Sequence, residues 1–149
     1  MASTGTHGLK FSIVITLYNK APFIKRTLLS VLRQSKPAYE IIVVDDNSSD
    51  DSYKIVESVK NNEAREHPSR IKLIRRSQNG GPGAARNTGL EQVSGDYIFL
   101  LDGDDEYKPG LFARAEQIFL PTNPACCSYS LSRTPTGVNY PTLKNFQTY

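Results

Sequence analysis

Phe11-Ser-Ile-Val-Ile-Thr-Leu17, with Tyr18-Asn19 directly behind it, is the stretch that decides the fold. It is β-branched and continuous, the pattern of a strand covered on both faces, as in a parallel sheet. The period then changes. Pro22 sits where a first helical turn tolerates it, and Phe23, Ile24, Thr27, Leu28, Val31 and Leu32 recur at helical spacing. Pro37 closes that helix.

The alternation repeats along the chain. Glu40-Ile-Ile-Val-Val-Asp45 reads as a second buried strand. Asn47-Ser-Ser-Asp50 offers N-caps to a helix continued by Tyr53, Val56 and Val59. Ile71 to Ile74 is a third, shorter strand. Asn79-Gly-Gly-Pro-Gly83 is a turn cluster that opens a helix over Ala84 to Val93, with Gly95 past its end. Tyr97-Ile-Phe-Leu-Leu101 is a fourth strand, and Pro109 starts a helix whose inner face is Leu111, Phe112, Ala115, Ile118 and Phe119. Strand and helix at this rhythm predict right-handed crossovers and an α/β fold, a mostly parallel open sheet with helices on both faces.

Residues 1–10 read as a disordered lead-in, in which His7 faces solvent rather than a ligand, and residues 11–120 as the domain. Residues 121–149 carry four prolines and no Asp or Glu, and read as one extra strand within Ala125 to Leu131 plus a loop tail. A length of 149 residues suits one domain. The balance of 18 basic against 15 acidic residues, a net charge of +3, is too mild to argue for nucleic acid or an anionic membrane. Two basic clusters, Lys20/Lys25/Arg26 and Lys72/Arg75/Arg76, can face a phosphate but read as solvated faces. Cys126 and Cys127 are adjacent, which strains a mutual disulfide, and lack metal spacing; they read as buried or half-buried thiols of a reducing compartment. Met1 to Lys10 is no signal peptide, and no apolar run approaches the ~20 residues of a membrane span. The expected place is the cytoplasm, with peripheral association at the inner face of the membrane as the alternative. Oligomeric state is not legible.

The polar residues fall where such a sheet binds ligands, outside the carboxyl ends of its strands. The strongest local signal is Leu100-Leu-Asp102-Gly103-Asp104-Asp105. Carboxylates this close repel one another, and a hard divalent ion such as Mn²⁺ or Mg²⁺ resolves the repulsion while keeping positions open for diphosphate oxygens. Gly103 lets the backbone come close to a ligand. The plain alternative is a solvated acidic turn. Asp45 and Asp46 end the second strand and can accept from ribose hydroxyls or a base edge; Asp46 or Asn47 can equally cap the next helix. In Asn79 to Gly89, glycines before a helix N-terminus present free N–H groups, and Arg86 offers a fork of donors to a phosphate. The same glycines also suit a tight turn and close packing through Ala84, Ala85 and Gly89. Tyr18, just past the first strand, can stack on a base or pack at the sheet edge.

Together, Ser12-Ile-Val-Ile-Thr-Leu-Tyr-Asn19, Val43-Val-Asp-Asp-Asn-Ser48, Asn79 to Gly89 and Leu101-Asp-Gly-Asp-Asp105 resemble family 2 glycosyltransferases of the GT-A fold, in order and spacing. The resemblance implies that Thr16 and Tyr18 line a base pocket beside Asn19. It implies that Asp46 bonds the base edge with Asp45 nearby, and that Arg86 and Asn87 lie close to base or diphosphate. Asp102 and Gly103 would face the ribose or donor sugar. Asp104, with Asp102, would hold the metal, and Asp105 would support the loop. It further implies a nucleoside-diphosphate sugar donor, expected to be UDP-linked, a saccharide or other hydroxyl acceptor, inversion at the anomeric carbon, and a role in cell-surface polysaccharide or glycoconjugate synthesis. One departure stands out. The family's general base is an Asp or Glu in a downstream acceptor-binding half, whereas no acidic residue follows Glu116. The acceptor half is read as missing, so no catalytic residue is assigned, and the chain is expected to bind donor yet transfer slowly or not at all alone. A binding-only protein of the same fold is the first alternative. A receiver domain of two-component signalling, suggested by Val43-Val-Asp-Asp-Asn47, fits poorly because a whole strand–helix unit precedes Asp45.

Overall fold

The computed structural model describes residues 8–122, 130–133 and 139–142. Four strands and four helices alternate: β1 (Phe11–Leu17), α1 (Ile24–Leu32), β2 (Glu40–Asp45), α2 (Ser52–Asn62), β3 (Arg70–Arg75), α3 (Gly81–Leu90), β4 (Tyr97–Asp102) and α4 (Leu111–Thr122). The strands form one parallel sheet in the order β3-β2-β1-β4. The sequence-based α/β class, with helices on both faces, is what the chain adopts.

Side-chain alternation along β1 explains the layering. Phe11, Ile13, Ile15 and Leu17 point to the larger core, where they meet Ile24, Leu28 and Val31 of α1, Val56 and Val59 of α2, and Phe112, Ala115 and Phe119 of α4. Aromatic rings fill much of it, with Phe99 lying 5.2 Å from both Phe11 and Phe112 in edge-on geometry. Val14 points the other way and joins Ile42, Val44 and Ala85 in a smaller core under α3. That helix lies close to the sheet because of Gly89, where a Cβ would stand 2.4 Å from Val14 Cγ1 and 3.3 Å from Val44 Cγ2.

Helix starts differ from the sequence reading by a few residues. Pro109 does not open α4: Gly110 takes φ +79°, so Pro109-Gly110 is a turn and the helix begins at Leu111. α3 begins at Gly81 rather than Ala84, because Pro82 occupies the first turn, where a missing N–H and a fixed φ cost nothing. Beyond α4, β5 (Ser130–Arg133) pairs antiparallel with β6 (Asn139–Thr142). The second of these was expected to be loop. Pro141 lies within it, and in a two-stranded pair both strands are edges, where proline is tolerated. His7, Cys126 and Cys127 lie outside the described residues, as does most of the strand expected from Ala125.

Candidate functional site

The strand order reverses between β1 and β4, whose neighbours lead away in opposite directions, and such a switch point opens a crevice at the carboxyl ends. Backbone bonds carry both flanking strands past the tip of β1. Asp46 N donates to Leu17 O at 2.8 Å on one side, and Gly103 N donates to Thr16 O at 2.9 Å on the other. The approach at Gly103 is tight: a Cβ there would lie 3.0 Å from Thr16 O, so a larger residue would push the acidic turn and β1 apart by a few tenths of an ångström. Asp46 and Asp104 are thereby held on either side of one strand end. A cavity of about 500 Å³ opens there, and Thr16, Tyr18, Asp46, Asp102, Gly103 and Asp104 all line it. That size is within the ~300–1,000 Å³ of small-molecule sites.

Two carboxylates at the cavity are each matched by a cation of the chain. Asp102 Oδ1 accepts from Thr16 Oγ1 at 3.0 Å and faces Arg86 Nη2 at 3.4 Å. Asp104 Oδ2 pairs with Lys20 Nζ at 2.6 Å. Asp102 Oδ2 and Asp104 Oδ1 have no protein partner among the described residues. Arg86 Nε is buried with no acceptor among them. No group of three or more His, Cys, Asp or Glu side chains is arranged to hold an ion among the described residues. Mg²⁺-type sites commonly use one or two carboxylates and complete the shell with phosphate oxygens and water, so the half-exposed oxygens of Asp102 and Asp104 fit such an ion.

Asp46 is buried and already engaged. Arg76 Nη1 donates to its Oδ1, Gly80 N reaches both oxygens at 3.1 Å, and Gly81 N donates to Oδ2 at 2.7 Å. Each oxygen therefore receives two contacts, and the carboxylate fixes the turn ahead of α3 against the tip of β2.

Four of the residues expected at the site do not line the cavity. Asp45 is wholly buried, takes Ser48 N on both oxygens and lies 3.4 Å from Arg75 Nε, its neighbour across the sheet. Asn19, at φ +49°, turns its Oδ1 to Ser49 N and Asp50 N, fastening the β1–α1 loop to the β2–α2 loop. Asn87 is exposed on α3. Arg86 reaches the cavity only through Asp102. Conversely, Lys20 and Arg76 had been read as parts of solvated basic faces. The structure disperses those clusters: Lys25 pairs with Glu63 and Arg26 with Glu106, while Lys20 and Arg76 hold the two cavity carboxylates Asp104 and Asp46. A basic side chain just beyond a strand tip was the available signal.

Comparison with known proteins agrees with this geometry. The chain is 40% identical over 94 residues to an uncharacterized glycosyltransferase of Haemophilus influenzae, a match covering 63% of this chain and 36% of that protein. It is 38% identical over 99 residues to a poly(ribitol-phosphate) beta-glucosyltransferase of Bacillus spizizenii, covering 65% of this chain and 15% of the other. Among solved structures it resembles residues 1–349 of S. aureus TarS in complex with UDP-GlcNAc, with a TM-score of 0.69, 30% identity, and coverage of 77% of this chain and 32% of that one. The fold also matches the mannosyltransferase PcManGT of Pyrobaculum calidifontis, solved with GDP-Man and Mn²⁺, with a TM-score of 0.68 at 24% identity, over 88% of this chain and 37% of that one. The chain spans about a third of the length of the first curated relatives it matches. The model for glycosyl transferase family 2 matches residues 12–146, nearly the whole sequence, and to that family of transferases the chain belongs.

Proposed function

We propose that the cavity at the tips of β1, β2 and β4 binds a nucleoside-diphosphate sugar, and that the chain acts as the donor-binding part of an inverting, divalent-metal-dependent glycosyltransferase. The observation that carries this reading is the Thr16–Asp102 bond across the β1/β4 switch point, which holds Asp102 beside Asp104 on the same cavity as the exposed ring of Tyr18. Tyr18, 46% exposed, offers a face on which a base stacks. Thr16 and Asp102 meet the ribose or donor sugar, and Arg86, which lies off the cavity, adds its positive charge from behind through its pair with Asp102. Asp46 shapes the wall by holding the Gly80-Gly81 backbone in place.

Asp104 and Asp102 would hold the divalent ion, whose chemistry there is neutralisation of the leaving diphosphate, worth ~4 kcal/mol per charge pair at 4 Å and an effective dielectric of 20. UDP-GlcNAc in the TarS structure supports a sugar nucleotide as donor, and the glucosyltransferase relatives support a saccharide or other hydroxyl acceptor in cell-surface polymer synthesis. Among the described residues no helix is long and apolar enough to cross a membrane. Work on the cytoplasmic side, with peripheral contact to the membrane, is in keeping with a Campylobacter jejuni relative whose name specifies an undecaprenol-linked acceptor.

A panel of nucleotide sugars screened by thermal shift, with and without Mn²⁺, tests the proposal. At a hundred times its dissociation constant a bound donor adds ~2.7 kcal/mol, or roughly 5–10 °C for a chain of this size. At least one donor is expected to do so with Mn²⁺ present, and less without it. No shift by any donor would overturn the reading.

A further inference from the structure

Lys20 enters the cavity from a fixed root. Its backbone N donates to Ser52 Oγ at 2.8 Å, and its carbonyl accepts from Phe23 N and Ile24 N at 2.9 Å each. Asn19 before it is fastened in a left-handed conformation by the 48–50 loop. Only the flexible stem remains adjustable, and it carries Nζ to Asp104 Oδ2. Both side chains are 38% exposed, so the pair is of the kind whose net contribution is small and readily exchanged. Lys25 and Arg26, the nearest basic residues in sequence, are committed to Glu63 and Glu106. Lys20 thus places a single positive charge where an incoming diphosphate and cation would both have to be accommodated.

We propose that Lys20 is a displaceable counter-ion: its ammonium neutralises Asp104 in the ligand-free protein, yields that carboxylate to a divalent cation, and then turns to the diphosphate oxygens. The inference rests on Asp104 being a cation ligand. Its consequence is coupling between the two ligands. While Lys20 holds Asp104 and repels a second positive charge, the cation alone binds weakly. Once a diphosphate is present, Lys20 has a better partner, Asp104 is released, and cation and nucleotide enter together. Asp102 differs, because Thr16 Oγ1 as well as Arg86 holds it.

The test is Mn²⁺ titration without nucleotide, followed by electron paramagnetic resonance of the free ion, on the wild type, Lys20→Met, Lys20→Arg and Asp104→Asn. Uridine diphosphate binding at saturating Mn²⁺ is measured alongside by calorimetry. Lys20→Met is expected to bind Mn²⁺ alone about threefold to tenfold more tightly, the range for removing a half-exposed pair and one like charge. It is expected to bind uridine diphosphate several-fold more weakly. Lys20→Arg should stay near wild type in both. A merely structural lysine would not move the two affinities in opposite directions. If Asp104→Asn loses Mn²⁺ while Lys20→Met matches the wild type, the counter-ion role is overturned and the metal reading stands. If Asp104→Asn binds Mn²⁺ as the wild type does, the metal reading itself fails and takes the inference with it.

Discussion

Replacing Asp46 with asparagine separates two roles that this carboxylate can play. The side chain is 3% exposed and receives Arg76 Nη1, Gly80 N and Gly81 N. An amide of the same shape keeps one acceptor and turns a donor toward groups that are themselves donors. Removing one partner of a buried ion pair costs ~3–5 kcal/mol, and hydrogen bonds to a charged group ~1.5–3 kcal/mol each. Arg76 is 21% exposed, so water takes up part of the loss on its side. The net expectation is ~2–4 kcal/mol of destabilisation, a fall of roughly 5–15 °C in Tm. The assay pairs differential scanning calorimetry of the ligand-free protein with uridine diphosphate binding. The account predicts a large loss of Tm and a loss of affinity that follows loosening of the turn before α3. A variant that keeps its Tm within a degree or two yet loses nucleotide affinity would refute it, because Asp46 would then read the base rather than brace the wall.

Gly89→Ala sets two effects against each other: helix propensity favours alanine by ~1 kcal/mol, while a methyl 2.4 Å from Val14 Cγ1 overpacks the smaller core by ~1–3 kcal/mol. Overpacking should win, lowering Tm, and Val14→Ala in the same chain should recover part of the loss; a rise in Tm for the single variant would show that α3 lifts freely from the sheet. Acid should destabilise the fold through Glu40 and Glu116. Burial pushes both carboxyls up, but Ser12, Ser94 and Gly95 around Glu40, and Lys36 and Leu9 around Glu116, outweigh it and hold each below the ordinary 4.5. A lowered folded-state pKa stabilises fully above the ordinary value and is lost as pH falls through the folded one, so urea midpoints should decline as pH falls below the ordinary 4.5. Glu40→Gln and Glu116→Gln should each flatten that decline, and an unchanged slope in both would count against these contacts.

Much of the fold was legible because it depends on local pattern. The bounds of β1 and β2, Phe11–Leu17 and Glu40–Asp45, coincide with the stretches read as strands, since a strand buried on both faces is mostly apolar and β-branched, with polar residues only near its ends. Helix starts were less legible, because Gly110 and Pro82 act through backbone geometry rather than periodicity. At the site, the carboxylates of Asp102 and Asp104 could be placed from their position behind a strand. The partners could not. Lys20 meets Asp104 across 84 positions of sequence, and Asp46 meets Gly81 across 35. Asp45 and Asp46 are adjacent with the same charge, yet strand alternation buries one against Arg75 and turns the other to the cavity wall. Nothing in a linear reading distinguishes them until the register Asp45↔Arg75 is known.

The proposed function requires that neighbouring strand tips hold Asp102 and Asp104 so that a divalent ion can grip a sugar nucleotide's diphosphate. Isothermal titration of uridine and guanosine diphosphates into the wild type and Asp104→Asn, with Mn²⁺ and then with a chelator, tests it most directly. The account predicts that at least one diphosphate binds the wild type with Mn²⁺, and that the chelator and Asp104→Asn each weaken binding by about tenfold or more, a modest share of the ~4 kcal/mol of one such charge pair. Equal binding under all these conditions, or none even when manganese is supplied, would contradict it.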